Sequence, residues 1–191
     1  MPDSATTPGA PSSARLVSVW DLPLRLSHWL LAASVLTAYF TANIYDTAHE
    51  VAGYTALAVA AFRIAWGFTG SRYARFRNSV RPAGATLRHL AGLARGRTGR
   101  YLGLNPAGAA MALALLALVA VASVSGHMQI TVTFFGVTWV EAIHTWSSHL
   151  VIVLVAMHVL GVLLMCWLQR ENLVRAMITG TKQANGDEPK S

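Results

Sequence analysis

Histidine is the residue of this chain whose type and spacing best suit a chemical role. The stretch EAIHTWSSHLVIVLVAMHV, residues 141–159, is almost wholly apolar from Leu150 onward, yet it carries three imidazoles. If the stretch is helical, the fourteen steps from His144 to His158 bring the second ring within about 40° of the first and roughly 21 Å further along the axis. His149 then projects from another face of the helix. Two rings therefore line one face at two depths.

The chain around these histidines is too apolar for an ordinary soluble domain. Of its 191 residues, 54% are hydrophobic and 12% are charged, and the mean hydropathy is +0.45; a soluble domain is about 25% charged. A membrane-spanning helix needs about 20 largely apolar residues, and the chain contains four such segments. The fold class predicted is therefore all-α, an integral membrane four-helix bundle. The segments run approximately over Leu24–Asn43, His49–Thr69, Pro106–Gly126 and Ile143–Leu168.

The rest of the sequence is too short for a second folded domain. Residues 1–14 are rich in Pro, Ser, Thr and Ala and lack apolar periodicity, so we expect a disordered N-terminal tail. Residues 15–182 form the predicted four-helix transmembrane domain, and residues 183–191 form a predicted disordered C-terminal tail. Cys166 is the only cysteine, which excludes an internal disulfide and a cysteine-ligated metal cluster.

The basic residues predict the orientation of the bundle. The net charge is +7, but in a four-span topology every Lys and Arg falls on one side of the bilayer, which the positive-inside rule makes cytoplasmic. Both termini are therefore predicted to be cytoplasmic in a multi-pass membrane protein, which the family resemblance described below would place in the bacterial inner membrane. The basic loop then contacts anionic lipid, and we expect no nucleic-acid partner. The basic residues are Arg15, Arg25, those from Arg63 to Arg100, Arg170, Arg175, Lys182 and Lys190.

Histidines of different segments match in depth. The first segment runs outward and the second and fourth run inward, which puts His28 and His158 at an inner level and His49 and His144 at an outer one. Polar groups inside a bilayer usually face the bundle interior and pair there. Imidazole is a standard axial ligand of haem iron, and helix bundles commonly hold such cofactors. The geometry thus predicts two bis-histidine haems in a transmembrane electron carrier.

Two arginines are candidates for holding haem propionates. Arg63 follows His49 by fourteen residues, so it projects from the same helix face at the cytoplasmic level. There its guanidinium can make charge-assisted hydrogen bonds to propionates of the inner haem. Arg25, one turn before His28, is the second candidate. The alternative for both is an ordinary flanking arginine of the positive-inside pattern.

Three further histidines have less specific interpretations. His89 lies in the basic loop and is expected to be solvated. His127 lies at the outer end of the third segment, either near the outer cofactor or as a plain interfacial residue. For His149 we expect a structural or interfacial contact, with proton handling as the alternative.

Six motifs follow one another over roughly residues 19–182: RLSHWLL, HEVAGY, FRIAWGFTGSRYARF, YLGLNPAGAAM, HTWSSHLVIVLVAMH and RENLVRAMITG. In order and spacing they resemble the prokaryotic cytochrome b561 family, which is similar to the b-type cytochrome subunits of nickel–iron hydrogenases. The resemblance implies a four-helix membrane protein with two b haems. Their ligands would be His28, His49, His144 and His158.

The resemblance also implies electron exchange between the quinone pool and a redox partner, such as a periplasmic c-type cytochrome or a hydrogenase-like protein. A quinone or quinol site near the inner haem, rimmed by Arg25, Arg63 or Arg72, is expected from charge and depth. One alternative is a superoxide:ubiquinone oxidoreductase, although the predicted outer loops carry no Lys or Arg to attract an anion. Another is a histidine-based transition-metal transporter, which the separation of the histidines into two levels disfavours. The sequence leaves the oligomeric state open.

Overall fold

The computed structural model of the chain is almost entirely helical. It describes residues 15–79, 82–95, 101 and 103–184; the predicted N-terminal tail lies outside these ranges, as do the residues after Ala184. In the described part, the elements follow one another in this order: β1 Arg15–Ser18, α1 Leu22–Thr41, α2 Asp46–Thr69, α3 Phe76–Ser79, α4 Ala83–Ala94, α5 Pro106–Gln129, α6 Thr138–Gln169, α7 Leu173–Thr179 and β2 Thr181–Ala184.

The four predicted segments correspond to α1, α2, α5 and α6, with ends that differ by at most five residues. The largest difference is at α6, which begins at Thr138 and is 32 residues long. Among the described helices, α2, α5 and α6 are long and apolar enough to cross a membrane. Helix α1 is not among them, because Arg25 and His28 in its first two turns lower its mean hydropathy.

The long helices pack in sequence around a small apolar core. Helix α1 packs on α2, α2 on α5, and α5 on α6. A central cluster of buried side chains joins α2, α5 and α6, and its two α2 members are alanines, which allow close approach of the helix backbones. Leu31 and Val35 of α1 pack against this cluster. Its buried members are Ala56, Ala60, Leu116, Val119 and Val151.

The two ends of the described chain meet at one end of the bundle. Strand β1 pairs with β2 in antiparallel register, from Arg15 opposite Ala184 to Ser18 opposite Thr181. Next to the sheet, the Lys182 side chain is buried and its ammonium lies 5.9 Å from the centre of a tryptophan ring, that of Trp20, within the range of a cation–π interaction. The strand β2 extends two residues beyond the domain end expected at residue 182.

A second apolar cluster packs next to this sheet. Its buried members are Val19, Trp20, Leu24 and Ala176, and they join the start of α1 to α7. Gly180, which ends α7 with a φ of +83°, accepts hydrogen bonds from the backbone N–H groups of Val19 and Trp20 at 2.8 and 3.0 Å. The cluster therefore fixes α7 against α1.

Asp21 connects the beginning of α1 to the end of α2. One carboxylate oxygen caps α1 by accepting from Leu24 N–H at 2.8 Å, and the other accepts from the Trp66 indole N–H at 3.1 Å. Partial burial raises the pKa of the Asp21 carboxyl, but hydrogen bonds from Ser71, Leu24 and Trp66 outweigh it and bring the pKa below its usual range. The ionised carboxylate is thus the form that the fold stabilises.

Replacement of Asp21 is expected to destabilise this end of the bundle. Asp21→Ala removes the cap at a cost of about 1 kcal/mol, whereas Asp21→Asn keeps a capping oxygen and removes the titration. Because the folded-state pKa is depressed, the stabilisation is present above the unfolded pKa and is lost as the pH falls through the folded one. Thermal unfolding followed by circular dichroism in detergent should show a larger loss on acidification from about pH 6 to about pH 3 for wild type than for Asp21→Asn. Equal pH dependence in the two proteins would contradict this assignment.

Candidate cofactor sites

The inner histidine pair joins the first turns of α1 to the C-terminal half of α6. The ring centroids of His28 and His158 lie 6.3 Å apart with their planes at 57°. Both side chains are half-buried. On its other side His28 meets the Trp29 ring edge to face at 5.3 Å. The structure therefore brings together the two residues expected at the inner level.

The outer histidine pair joins the first turn of α2 to the N-terminal half of α6. The rings of His49 and His144 are perpendicular, with centroids 6.0 Å apart. Each ring also bonds to a neighbouring helix at 2.8 Å: His49 Nδ1 to the Ala38 carbonyl of α1, and His144 Nδ1 to the Ala122 carbonyl of α5. Because a carbonyl only accepts, each Nδ1 carries the proton, and each Nε2 keeps a lone pair for another ligand.

The spacing within each pair fits one metal atom between two imidazoles. Two ring nitrogens bound at about 2.0 Å each put the centroids about 6.2 Å apart, close to the observed 6.3 and 6.0 Å. No group of three or more His, Cys, Asp or Glu side chains gathers in the described part of the chain. A bare structural ion takes about four protein ligands, whereas haem iron needs only axial ones. The donor sets therefore fit haem.

Helix α6 stands apart from the two helices that carry its histidine partners. It packs closely on α5, while no comparable backbone packing joins it to α1 or α2 among the described elements. Both histidine pairs reach across this separation. Helices in direct contact have axes about 8–10 Å apart, which leaves little room for a planar group between them. The gap between α6 and the pair α1 and α2 therefore suits a planar cofactor.

Both candidate arginines lie at the inner level. Arg63 Nη1 donates to the Leu24 carbonyl of α1 at 3.0 Å, one turn before His28. Arg25 Nη2 donates to the Ile178 carbonyl at the end of α7. The Arg25 Nε–H is buried and has no hydrogen-bond partner among the described residues, a costly state for a polar group. An anionic propionate is the kind of acceptor that this side chain lacks.

A groove of about 400 Å³ lies beside the inner pair, between α1 and α7. Its walls are apolar except for Arg25. Trp29 lines the groove, and its ring meets that of His28 edge to face at 5.3 Å. Of the three arginines expected to rim a quinone site, Arg63 and Arg72 are not among the described residues that line it. The lining residues are Leu22, Arg25, Leu26, Trp29, Met177 and Ile178.

The remaining histidines do not join the two pairs. His127 is exposed, and its Nδ1 is hydrogen-bonded to the Tyr54 hydroxyl of α2 at 2.8 Å. His149 is exposed on α6 and its Nδ1 donates to the Thr145 carbonyl of its own helix at 2.7 Å. His89 lies within α4, and its side chain is outside the described part of the structure.

Sequence reasoning missed the groups that orient the outer pair. The carbonyls of Ala38 and Ala122 have no side-chain signature, so no pattern of residue types indicates them. Gly126 entered the sequence analysis only as the end of the third apolar segment. A Cβ atom added there would lie 2.9 Å from His144 Cε1, so the absence of a side chain lets the imidazole approach α5.

An apolar helical bundle that spaces two pairs of imidazoles for axial ligation is the architecture of a membrane cytochrome. The family model described as prokaryotic cytochrome b561 matches residues 19–180, and the chain belongs to this family. The protein is therefore a membrane b-type cytochrome of electron transfer, and its family binds haem b. No curated protein and no solved structure matches the chain.

Substitution of Gly126 is expected to weaken haem binding. In Gly126→Ala the new methyl group displaces the His144 ring and strains its bond to the Ala122 carbonyl, an overpacking effect of about 1–3 kcal/mol. The haem-to-protein ratio and the temperature of haem release, followed by absorbance, should both fall. Gly84→Ala in α4 is the control, since among the described residues the nearest side-chain atom to its added methyl, Arg88 Nη1, lies at 3.8 Å. An unaltered ratio and release temperature in Gly126→Ala would show that the close approach is unimportant.

Proposed function

We propose that this protein is a di-haem b-type cytochrome that transfers electrons across the bacterial inner membrane between the quinone pool and a redox partner. The observation that carries the proposal is the arrangement of two histidine pairs at two depths along α6. The fourteen helical steps from His144 to His158 separate the pairs by roughly 21 Å along this helix. Two ligand pairs stacked in this way suit a path that crosses most of the hydrocarbon core, which is about 30 Å thick.

The proposed inner ligands are His28 and His158, and the proposed outer ligands are His49 and His144. When bound, haem supplies an iron that cycles between the ferric and ferrous states. The chain holds the axial imidazoles, and the outer two are oriented by backbone carbonyls of adjacent helices. Arg25 and Arg63 are the proposed donors to the inner propionates, because both guanidinium groups lie at that level.

The proposed topology has four spans, with α1 as the first, and cytoplasmic termini. Pairing of β1 with β2 supports it, since the two ends of the chain meet on one side only if the number of crossings is even. Crossings by α2, α5 and α6 alone would be odd in number, and α1, with 20 residues, is the further described helix that could make the number even. The basic residues beside the paired strands assign this end to the cytoplasm by the positive-inside rule. They include Arg170, Arg175 and Lys182.

The groove between α1 and α7 is the proposed quinone site. Its apolar walls suit a quinone ring and its isoprenoid tail, and Arg25 contributes a cation to an otherwise apolar surface. Trp29, which lines this groove, contacts the His28 ring at 5.3 Å. A quinone bound in this groove would lie close to the inner histidine pair. It would reach the groove from the lipid bilayer.

The proposed redox partner meets the protein at its outer end. Asp46, Glu50 and Glu141 are exposed near the outer histidines, each within one helical turn of His49 or His144. The sequence has no Lys or Arg from Leu26 to Phe62 or from Tyr101 to Gln169. Such a face attracts a basic protein and repels a small anion. It favours a periplasmic c-type cytochrome or a hydrogenase-like protein over superoxide.

Removal of single histidines tests the ligand assignment. The purified wild-type protein should contain two b haems per chain with low-spin, six-coordinate spectra. His28→Ala or His158→Ala should lose the inner haem, and His49→Ala or His144→Ala the outer one, each leaving about one haem because an axial bond is lost. Haem extraction and the reduced-minus-oxidised spectrum measure the content. The control is His149→Ala, which should retain both haems. A ligand variant with full haem content would reject that residue as a ligand.

Filling the groove tests the quinone site. In Leu26→Trp an indole occupies part of its volume, so oxidation of the dithionite-reduced protein by a short-chain ubiquinone should slow about tenfold. Stopped-flow absorbance measures the rate, and haem content should stay unchanged. Leu36→Trp is the matched control, because Leu36 is also exposed on α1 but does not line the groove. If both variants react at the wild-type rate, the quinone binds elsewhere.

A further inference from the structure

A tyrosine and a histidine outside the ligand pairs connect α2 to α5 at the outer level. The hydroxyl of Tyr54 and Nδ1 of His127 are 2.8 Å apart, and their rings meet edge to face at 5.8 Å. This contact joins residues that are 73 positions apart in the sequence. It occurs at an edge of the bundle where Tyr54 is 43% exposed. The two residues form a cross-link, here called the Tyr54–His127 contact.

The contact lies on the same turn of α5 that holds the outer ligand of α6. Ala122 provides the carbonyl that accepts from His144 Nδ1, and Gly126 provides the bare backbone against which the His144 ring rests. His127 is the next residue of this turn. The position of His127 relative to α2 therefore influences where the Ala122 carbonyl and the Gly126 backbone lie relative to His144.

The contact is also close to the outer ligand of α2. Tyr54 follows His49 by five residues, about 7.5 Å along the axis, and His49 is itself tied to the Ala38 carbonyl of α1. In the described bundle, close backbone packing joins α2 to α5 and α5 to α6, whereas α6 meets α2 through Val151 in the central cluster. The spacing between His49 and His144 therefore depends on how α5 is placed against α2.

We propose that Tyr54 and His127 are positioning residues for the outer ligand pair. By fixing the height and rotation of α5 against α2, their contact determines the orientation of the His144 ring relative to His49. Ligand orientation and hydrogen bonding around an axial histidine set the reduction potential of the iron that it binds. This inference rests on the proposed function, and in particular on an outer haem held by these two histidines.

Conservative variants of the contact provide the test. Tyr54→Phe removes only the hydroxyl, and His127→Leu removes the ring nitrogen that is its hydrogen-bond partner. Both are expected to retain two haems, to shift the midpoint potential of the outer haem in a redox titration, and to shift its low-spin electron paramagnetic resonance signal. The inner haem should keep its wild-type values. The outer signal is assigned beforehand as the one that disappears in His49→Ala.

Two further variants separate positioning from a general structural effect. His127→Asn places an amide oxygen near the former position of Nδ1 and should restore the outer signal toward wild type. Tyr39→Phe is the matched control, since Tyr39 lies near the outer end of α1 with 42% exposure. It should move neither signal. If Tyr39→Phe moves the outer signal as much as Tyr54→Phe, the effect is not specific and the inference is wrong.

The two proposals fail in distinguishable ways. A wild-type protein with one haem or none overturns the di-haem function and, with it, the positioning role. A wild-type protein with two haems, in which Tyr54→Phe and His127→Leu leave both potentials and both resonance signals unchanged, overturns only the positioning role. Loss of the outer haem in both variants, with recovery in His127→Asn, supports the same role in a stronger form.

Discussion

The interior of a bilayer supplies no water to a polar side chain, and this constraint determines how the histidines of the bundle are held. An unpaired polar group in such surroundings costs several kcal/mol, so each imidazole needs a partner from the protein. At the outer level, carbonyls of Ala38 and Ala122 provide it. Because Nδ1 is the donor, Nε2 of each ring keeps its lone pair. The same hydrogen bond therefore offsets the cost of burying the ring and leaves the other nitrogen in the form that the proposed ligand role requires.

One helix determines the relation between the two levels. Both His144 and His158 belong to α6, which is 32 residues long and contains no proline, so their separation along the axis is that of a continuous helix. Their partners come from α1 and α2, which pack on each other. One continuous helix therefore determines the distance between the two histidine pairs. A substitution next to one pair need not alter that distance.

The sequence predicted the four long helices and the histidines that meet, because both depend on apolar length and helical periodicity. His28 and His158 illustrate this, since depth and face alone brought them together. The sequence did not predict the carbonyl acceptors, which depend on backbone positions. It also did not predict the groove between α1 and α7, which depends on a short helix of seven residues. The start of α6 was also missed by five residues. Its N-cap, Val137, makes no capping hydrogen bond, so no polar residue marks the boundary.

The sheet at the chain ends has a consequence for the order of synthesis. Among the described elements, strand β1 leaves the ribosome before the helices, and its partner β2 leaves after them. Until then Trp20 and the start of α1 lack the cover that α7 and β2 provide. The groove beside Arg25 is completed in the same final step, because Met177 and Ile178 form part of its wall. A nascent chain therefore acquires its long helices before it acquires the surface at which α1 and α7 meet.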